Sequence, residues 1–537
     1  MAMASHSSAV LDLPDTISGL GATAPDVYHY GEPKLYVKSL GCMAILWSAT
    51  EFGQLSEPSF YGGQLSNAYY EAFPEQVFGA ISGGARKFEV FAYGTTSFET
   101  NGRQDKRFAE IATRTTADAG RIGRTLNHYS RSRARVAMLY PQTAYMWISL
   151  GHDFNDDYLK LVGTSKQYIG LGGAVRAQFD LLRKMFGHVD VLFDKQIQRG
   201  DLRNYDVCVV GYARQVQEHT LRELARFAEG GGTLLVSTDS GHRDENNGPT
   251  KALYDILPAT VGAERSVSAD YVNVRMPNPV PFSRGNALVP KSGAELLFTF
   301  GDTTPACVRG PVGRGQAILL GMPTAALRGE TNGAKRDLIA YVLRKRARLV
   351  SRPEDGEFSA ITFVPKRGLG RAFMIANHNK ESATTRVMAR GDVSEIDHAL
   401  VDIVTGERIP FTVEAGVLSF EVTCEDRWGR ALALLPRLPR TIEVSASPPG
   451  EEGRKLMLAV RLIGKGSQPV RSTLPFDLVV RDPEGKVRDD LSGVRVAERG
   501  VYASAMVWPE NARSGTWTVT VSDRISGSSD QATWESQ

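Results

Sequence analysis

The chain has 537 residues, a formal net charge of +3 and 42% hydrophobic residues. That length suits three or four globular domains. So small a basic excess, with no Lys/Arg cluster interleaved with aromatics, gives no argument for nucleic acid, and no nucleic-acid partner is expected.

The four cysteines, Cys42, Cys208, Cys307 and Cys424, lie far apart. With no C-x-x-C and no His at metal spacing, neither zinc nor a disulfide framework is expected. No metal and no cofactor is predicted. The first three sit among apolar or small residues and read as buried thiols. Cys424 precedes Glu425-Asp426 and reads as nearer the surface. No apolar run reaches the 18 or so residues of a membrane span. Met1–Asp15 has neither a basic nor an apolar region of the signal-peptide kind. The compartment stays open; an extracytoplasmic location would need a leader ahead of Met1.

Residues 1–32 are rich in Ser, Ala, Gly and Pro with no helical or strand period, and read as poorly structured. Ala44–Gln54 then reads A-I-L-W-S-A-T-E-F-G-Q. A buried strand ending in a carboxylate and then Gly is how a parallel barrel presents a nucleophile at its C-terminal rim. A Glu after a strand also serves as a cap or a surface charge. Phe88–Gly94 is a second strand with aromatics at its end. Asp105–Leu126 is an amphipathic helix, with Phe108, Ile111, Ala112, Ile122 and Leu126 near helical spacing. Residues 33–132 therefore carry the strand–helix rhythm of a barrel's last units.

A second domain spans 133–350. Val136–Tyr140, Val189–Phe193, Val207–Val210 and Thr233–Ser237 are short apolar strands of the kind buried in parallel sheets. Gln167–Phe186 and Thr220–Glu229 are the helices between them, and Gly187 ends the first. The pattern is doubly wound α/β. Gly310–Gly321 lacks G-K-[ST], and its glycines precede a strand, so it reads as a hairpin turn, not a phosphate loop. Lys335–Lys345 is a last helix. From 351 the pattern turns to short strands, first over 351–439 and then, beyond the linker Leu435–Pro439, over 440–526. Residues 527–537 read as a frayed tail.

Four stretches carry a resemblance. Thr50-Glu51-Phe52-Gly53 resembles the seventh, nucleophile-bearing strand of the large (β/α)8 glycoside hydrolase clan. D-L-x-x-Y-D-V-x-V-V, followed by L-x-x-F-x-E-G-G-G-T-L-L-V, resembles the trimerisation domain of bacterial family 42 β-galactosidases. D-I-V-T-G-E resembles the small C-terminal β domain of many glycosidases. P-F-D-L-V-V-R-D-P-E-G with G-x-W-T-V-T-V is similar to immunoglobulin-like modules of extracytoplasmic bacterial proteins. The fold implied is multidomain: the C-terminal part of a (β/α)8 barrel, a doubly wound flavodoxin- or glutamine-amidotransferase-like domain, then two β-sandwiches.

The resemblance implies a retaining glycosidase with Glu51 as nucleophile and a carbohydrate substrate. Trp47 and Tyr93 either stack on sugar faces or fill barrel core. Glu99 either binds a sugar hydroxyl or is a solvated charge. A full barrel takes roughly 250 residues, and about 130 precede the second domain. The family's acid/base lies in an Asn-Glu pair, and no Asn-Glu dipeptide occurs in this chain. The expectation is therefore an acid/base that is not on this chain. Partners follow from that: a homotrimer, or another chain completing the barrel. The alternatives are a non-catalytic assembly or carbohydrate-associated subunit, or one half of a split glycosidase. An amidotransferase would need a Cys at a Gly-flanked turn. Cys208 instead lies within a strand, and Gly211-Tyr212-Ala213 follows it.

Overall fold

The computed structural model describes residues 2–4, 22–27, 57–62, 73–85, 87–90, 106–149, 167–273, 280–322, 339–343, 346–391, 393, 398–447, 455–509 and 512–536. The architecture is multidomain α/β plus β, with several separate sheets. The chain divides into two compact units, residues 1–64, 83–92 and 133–352 in one, and 65–82, 93–132 and 353–537 in the other. Among the described residues no helix is long and apolar enough to cross a membrane.

The first unit holds two sheets. One is a row of four parallel strands, Ala2–Ala4, Ala22–Val27, Glu57–Gly62 and Lys87–Val90, in chain order. The first two fall within residues 1–32, where the sequence shows no strand period. Parallel strands are held by ladder bonds to their neighbours and need no alternating pattern. The described strands do not close into a barrel.

The other sheet has nine strands. Its parallel half runs Asp190–Leu192, Val136–Leu139, Val207–Val210, Thr233–Ser237 and Gly315–Leu320. Counted along the chain, that spatial order is 2-1-3-4-5. Val136–Leu139, Val207–Val210 and Thr233–Ser237 are buried at every position, as their unbroken apolar runs demand. The helices predicted between them form at Gln167–Phe186 and Glu218–Glu229. Glu218–Glu229 buries Thr220, Leu221, Leu224, Ala225 and Ala228 along one stripe. Gly187 ends the longer helix at φ +75°, and a Cβ there would stand 2.2 Å from the Ser351 carbonyl oxygen. Only glycine fits that turn.

The sheet continues antiparallel through Pro305–Val312, Glu295–Phe300, Ala259–Asn273 and Val280–Pro290. Pro305–Val312 and Gly315–Leu320 form the hairpin expected around Gly310–Gly321, and Gly313 turns it at φ +56°. Residues 339–343 are helical, within the last predicted helix.

In the second unit, a six-stranded sheet contains Arg408–Ile409, Ala399–Asp402, Gly429–Leu435, Arg371–Asn377, Phe358–Pro365 and Tyr129–Arg131 in that order. Ala383–Arg390 and Phe411–Glu414 flank Val417–Cys424 in a facing sheet. Phe358, Phe373, Ile375, Val387, Leu418, Phe420, Leu432 and Leu434 fill the space between. Cys424 belongs to that core and is 1% exposed, which corrects the surface reading. It ends a strand whose alternate residues point inward, and strand period outweighs the acidic pair that follows it.

A second sandwich pairs Thr441–Ser447, Lys455–Ile463 and Val501–Val507 in one sheet. Gly493–Ala497, Leu474–Arg481, Gly515–Ser522 and Ser529–Ser536 make the other. The tail does not fray. Ser529–Ser536 pairs residue for residue with Gly515–Ser522. Trp534 supplies the reason, because it is buried against Trp508, with ring centroids 5.5 Å apart. One aromatic anchor outweighs the polar composition around it.

Helix Lys106–Leu126 groups with these β domains. Its Arg121 reaches both of them. Nε donates to the Ile403 carbonyl at 2.7 Å and Nη1 to Asp477 Oδ1 at 2.7 Å. Arg124 donates to the Val494 carbonyl at 2.9 Å. Asp118 accepts the Trp428 indole N–H at 3.2 Å, and Arg114 lies 4.2 Å above that ring while pairing with Glu425. An amphipathic stripe shows that a helix is covered on one face. It does not say by what, so a barrel and a sandwich look alike from the sequence.

Candidate functional site

Glu51, Trp47, Tyr93 and Glu99 all lie outside the described residues. The described residues do show the C-terminal rim of the parallel sheet, where open α/β sheets place their ligands. Three strand ends meet there. Val136–Leu139 runs into Tyr140, Val207–Val210 into Gly211-Tyr212-Ala213, and Thr233–Ser237 into Thr238-Asp239-Ser240.

Tyr212 is a sharp elbow with φ +59° and 1% exposure. A non-glycine residue in the left-handed region is strained and must be held by its surroundings. Asp239 lies beside it. Its carboxylate accepts the hydroxyls of Ser237 and Ser240 through Oδ1, and the Tyr212 backbone N–H helps to lower its pKa. Burial pushes the Asp239 carboxyl above its ordinary pKa, and those donors pull it back. Ser240 Oγ also accepts the Ala213 N–H at 3.2 Å, and the Gly241 N–H donates to the Ala213 carbonyl at 2.7 Å. The loops after two neighbouring strands are thereby sewn together.

Tyr254 closes the cluster. Its hydroxyl donates to the Ser240 carbonyl at 2.9 Å, and its ring meets His242 edge-on with centroids 6.5 Å apart. Burial pushes the Tyr254 phenol up, with help from Asp239. His242 is pushed down to about 4, first by burial and then by Arg214 and Arg243. It is neutral at pH 7. His219, by contrast, is exposed on the helix surface, 3.6 Å from Glu223.

The lowered His242 has a consequence for acid stability. Below its ordinary value of 6.5 the unfolded chain takes a proton that the folded chain refuses until about 4. Its contribution is thus fully present above pH 6.5 and is lost as pH falls towards 4. Denaturant midpoints between pH 7 and 4 should fall less steeply for His242→Gln than for the parent. Parallel pH profiles would remove the assignment.

This rim has polar groups but no thiol among the described residues. Cys208 is fully buried within its strand and pushed up to about 12 by burial. Cys307 is likewise buried and raised. The elbow where acyl chemistry needs a nucleophile carries Tyr212, clamped from below. The arrangement sets backbone geometry and supplies no nucleophile–base pair. No motif in the sequence marks Asp239, His242 or Tyr254. The one signal is that Asp239 stands two residues past the end of an apolar strand. Among the described residues no group of three or more His, Cys, Asp or Glu side chains could hold a metal ion.

Comparison with known proteins places this unit. The family described as the β-galactosidase trimerisation domain matches residues 174–347. Among solved structures, a catalytic mutant of the GH42 β-galactosidase Gan42B from G. stearothermophilus is 18% identical, with a TM-score of 0.57, over 78% of this chain and 60% of that one. The β-galactosidase from Bacillus circulans sp. alkalophilus is 15% identical, with a TM-score of 0.57, over 79% and 61%. α-L-Fucosidase isoenzyme 2 from Paenibacillus thiaminolyticus is 11% identical, with a TM-score of 0.54, over 74% and 63%. No curated protein matches the chain. The chain spans 60 to 63% of the length of these structures. At such identities the likeness is one of fold. Residues 174–347 match the trimerisation domain, and about three quarters of the chain resembles glycosidases in fold at low identity.

Proposed function

We propose that this chain is a β-galactosidase-like glycoside hydrolase component whose 133–350 domain assembles it into a trimer. The observation that carries the reading is the family match over residues 174–347, which falls on the nine-stranded sheet. The 2-1-3-4-5 order of its parallel half supports a flavodoxin- or amidotransferase-like scaffold, used for assembly. Residues 33–132 are then the last units of a (β/α)8 barrel. Glu51 is the nucleophile of a retaining reaction on a carbohydrate substrate. Trp47 and Tyr93 stack on the sugar, Glu99 binds a hydroxyl, and the acid/base comes from outside these residues.

The chemistry selects the test. A nucleophile without its acid must expel an unprotonated leaving group, and general acid catalysis typically supplies roughly 10²–10⁴-fold. The 537-residue chain alone should therefore act poorly or not at all on aryl and alkyl β-galactosides, because the missing group is also the base of the second step. With 2,4-dinitrophenyl β-galactoside, whose leaving group needs no proton, it should give at most a stoichiometric burst of phenolate, and Glu51→Gln should abolish that burst. An unchanged burst in that variant would remove Glu51 as nucleophile. Sedimentation equilibrium should give three times the chain mass, and a monomer at tens of micromolar would sink the assembly role.

A further inference from the structure

A cavity of about 650 Å³ opens at the opposite, N-terminal edge of the parallel sheet, beside Asp206 and Thr233. Ile197, Leu202, Tyr205 and Phe227 give it an apolar floor. Arg203, Arg226, Arg346 and Arg348 also line it, against two carboxylates, Asp206 and Glu223. Both carboxylates are engaged. Asp206 accepts Arg348 Nη2 at 2.7 Å and Nε at 3.0 Å, and Glu223 accepts Arg226. Those bonds hold the Asp206 carboxyl below its usual range.

Arg203 and Arg346 remain. Both are exposed, and among the described residues neither has a carboxylate partner. Four guanidiniums against two carboxylates leave the lining with a charge of +2. Two unfilled guanidinium forks suit a dianion, and a fork matches the oxygens of a phosphate in a bidentate way. A phosphate monoester carries close to two negative charges at neutral pH. Gly230–Gly232, at the partially negative C-terminal end of helix Glu218–Glu229, also line the cavity, so the arginines and not the helix hold an anion there. The volume lies within the roughly 300–1,000 Å³ of small-molecule sites, far more than a bare ion fills.

We propose that this cavity binds a small organic phosphate monoester. Arg203 and Arg346 hold the phosphate, and Leu202 and Phe227 cover the organic part. The site is independent of Glu51 and of any glycosidase chemistry.

Calorimetric titration of the full chain tests it, with galactose 6-phosphate as probe and with galactose, galacturonate and inorganic phosphate as comparisons. Galactose 6-phosphate should bind saturably and at least tenfold more tightly than galactose or galacturonate. It should also bind more tightly than inorganic phosphate, and binding should weaken with added salt. The double variant Arg203→Gln/Arg346→Gln should lose tenfold or more in affinity while keeping its thermal midpoint, because neither side chain makes a carboxylate pair that folding needs. Binding equal to galactose, or binding unchanged in the double variant, overturns the proposal. So does inorganic phosphate binding as tightly as the sugar phosphate, which would mark an ion site alone. A double variant that sediments as a monomer would assign the cavity to the subunit interface and overturn it too.

Discussion

Replacing Asp477 by Ala should destabilise the β-domain unit by about 3–5 kcal/mol, the usual cost of stranding a buried charge. The partner left behind is Arg121, whose side chain is only 3% exposed. Burial already pushes its pKa down, and Asp477 is the main group opposing that shift. Without the carboxylate, the guanidinium keeps its bond to the Ile403 carbonyl, and its Nη2 has no hydrogen-bond partner. The reverse exchange is gentler. In Arg121→Met the carboxylate keeps Arg524, whose Nε lies 2.8 Å from Oδ2, and it is 22% exposed to water. The two variants should therefore differ by well over 1 kcal/mol although they break the same bond. Guanidinium unfolding followed by tryptophan fluorescence reads this directly, because Trp428, Trp508, Trp517 and Trp534 all lie in this unit. Equal costs for the two exchanges would show that the pair is solvated in practice.

Trp517→Ala should cost a similar amount, roughly 3–5 kcal/mol, by a different route. Trp517 is fully buried, and its ring meets Trp508 edge-on with centroids 4.5 Å apart. Its indole N–H donates to the Arg513 carbonyl at 2.9 Å. Truncation opens a cavity, orphans that carbonyl and loosens Trp534, which is stacked at 6.4 Å. The last strand then keeps its ladder, the Trp508 contact and the Val444 N–H bond to Asp530 Oδ2, but loses its stacked ring. Limited proteolysis should release Ser529–Ser536 from the variant well before the rest of the sandwich is cut. Trp517→Phe should retain most of the stability and the protection. A truncated variant as resistant as the parent would mean that backbone pairing suffices.

Much of the α/β unit was legible in the sequence because its signals are local. Val207-Cys208-Val209-Val210 is an unbroken apolar run, and Gly187 marks a helix end that no other residue could turn. What stayed hidden depends on distant partners. The helix Lys106–Leu126 showed its apolar stripe, yet nothing within it names the sandwiches it packs on. Arg121 reads as one more helix arginine until Asp477 is found 356 positions away. Ser529–Ser536 looked frayed because its sequence is polar, and a single Trp decided otherwise. The elbow at Tyr212 could not be read either. A positive φ at tyrosine has no local sequence signal, and the residues around it, Asp239 among them, lie in another loop. The proposed carbohydrate residues stand on resemblance alone, since Glu51, Trp47, Tyr93 and Glu99 fall outside what the structure describes.

The placement of helix Lys106–Leu126 also bears on how the protein is made. In sequence, residues 133–352 interrupt the unit to which that helix belongs. The first partner of its Arg121 to be made, the Ile403 carbonyl, leaves the ribosome 282 residues later. At roughly 5–20 residues per second, that is a wait on the order of a quarter of a minute to a minute. During that interval the α/β domain can complete itself, whereas the helix must keep its apolar stripe uncovered. Nascent chains stalled near residue 352 should therefore expose this stripe to chaperones. Those that have passed Asp477 should not. The order of synthesis makes the helix wait for its cover through the making of a whole intervening domain.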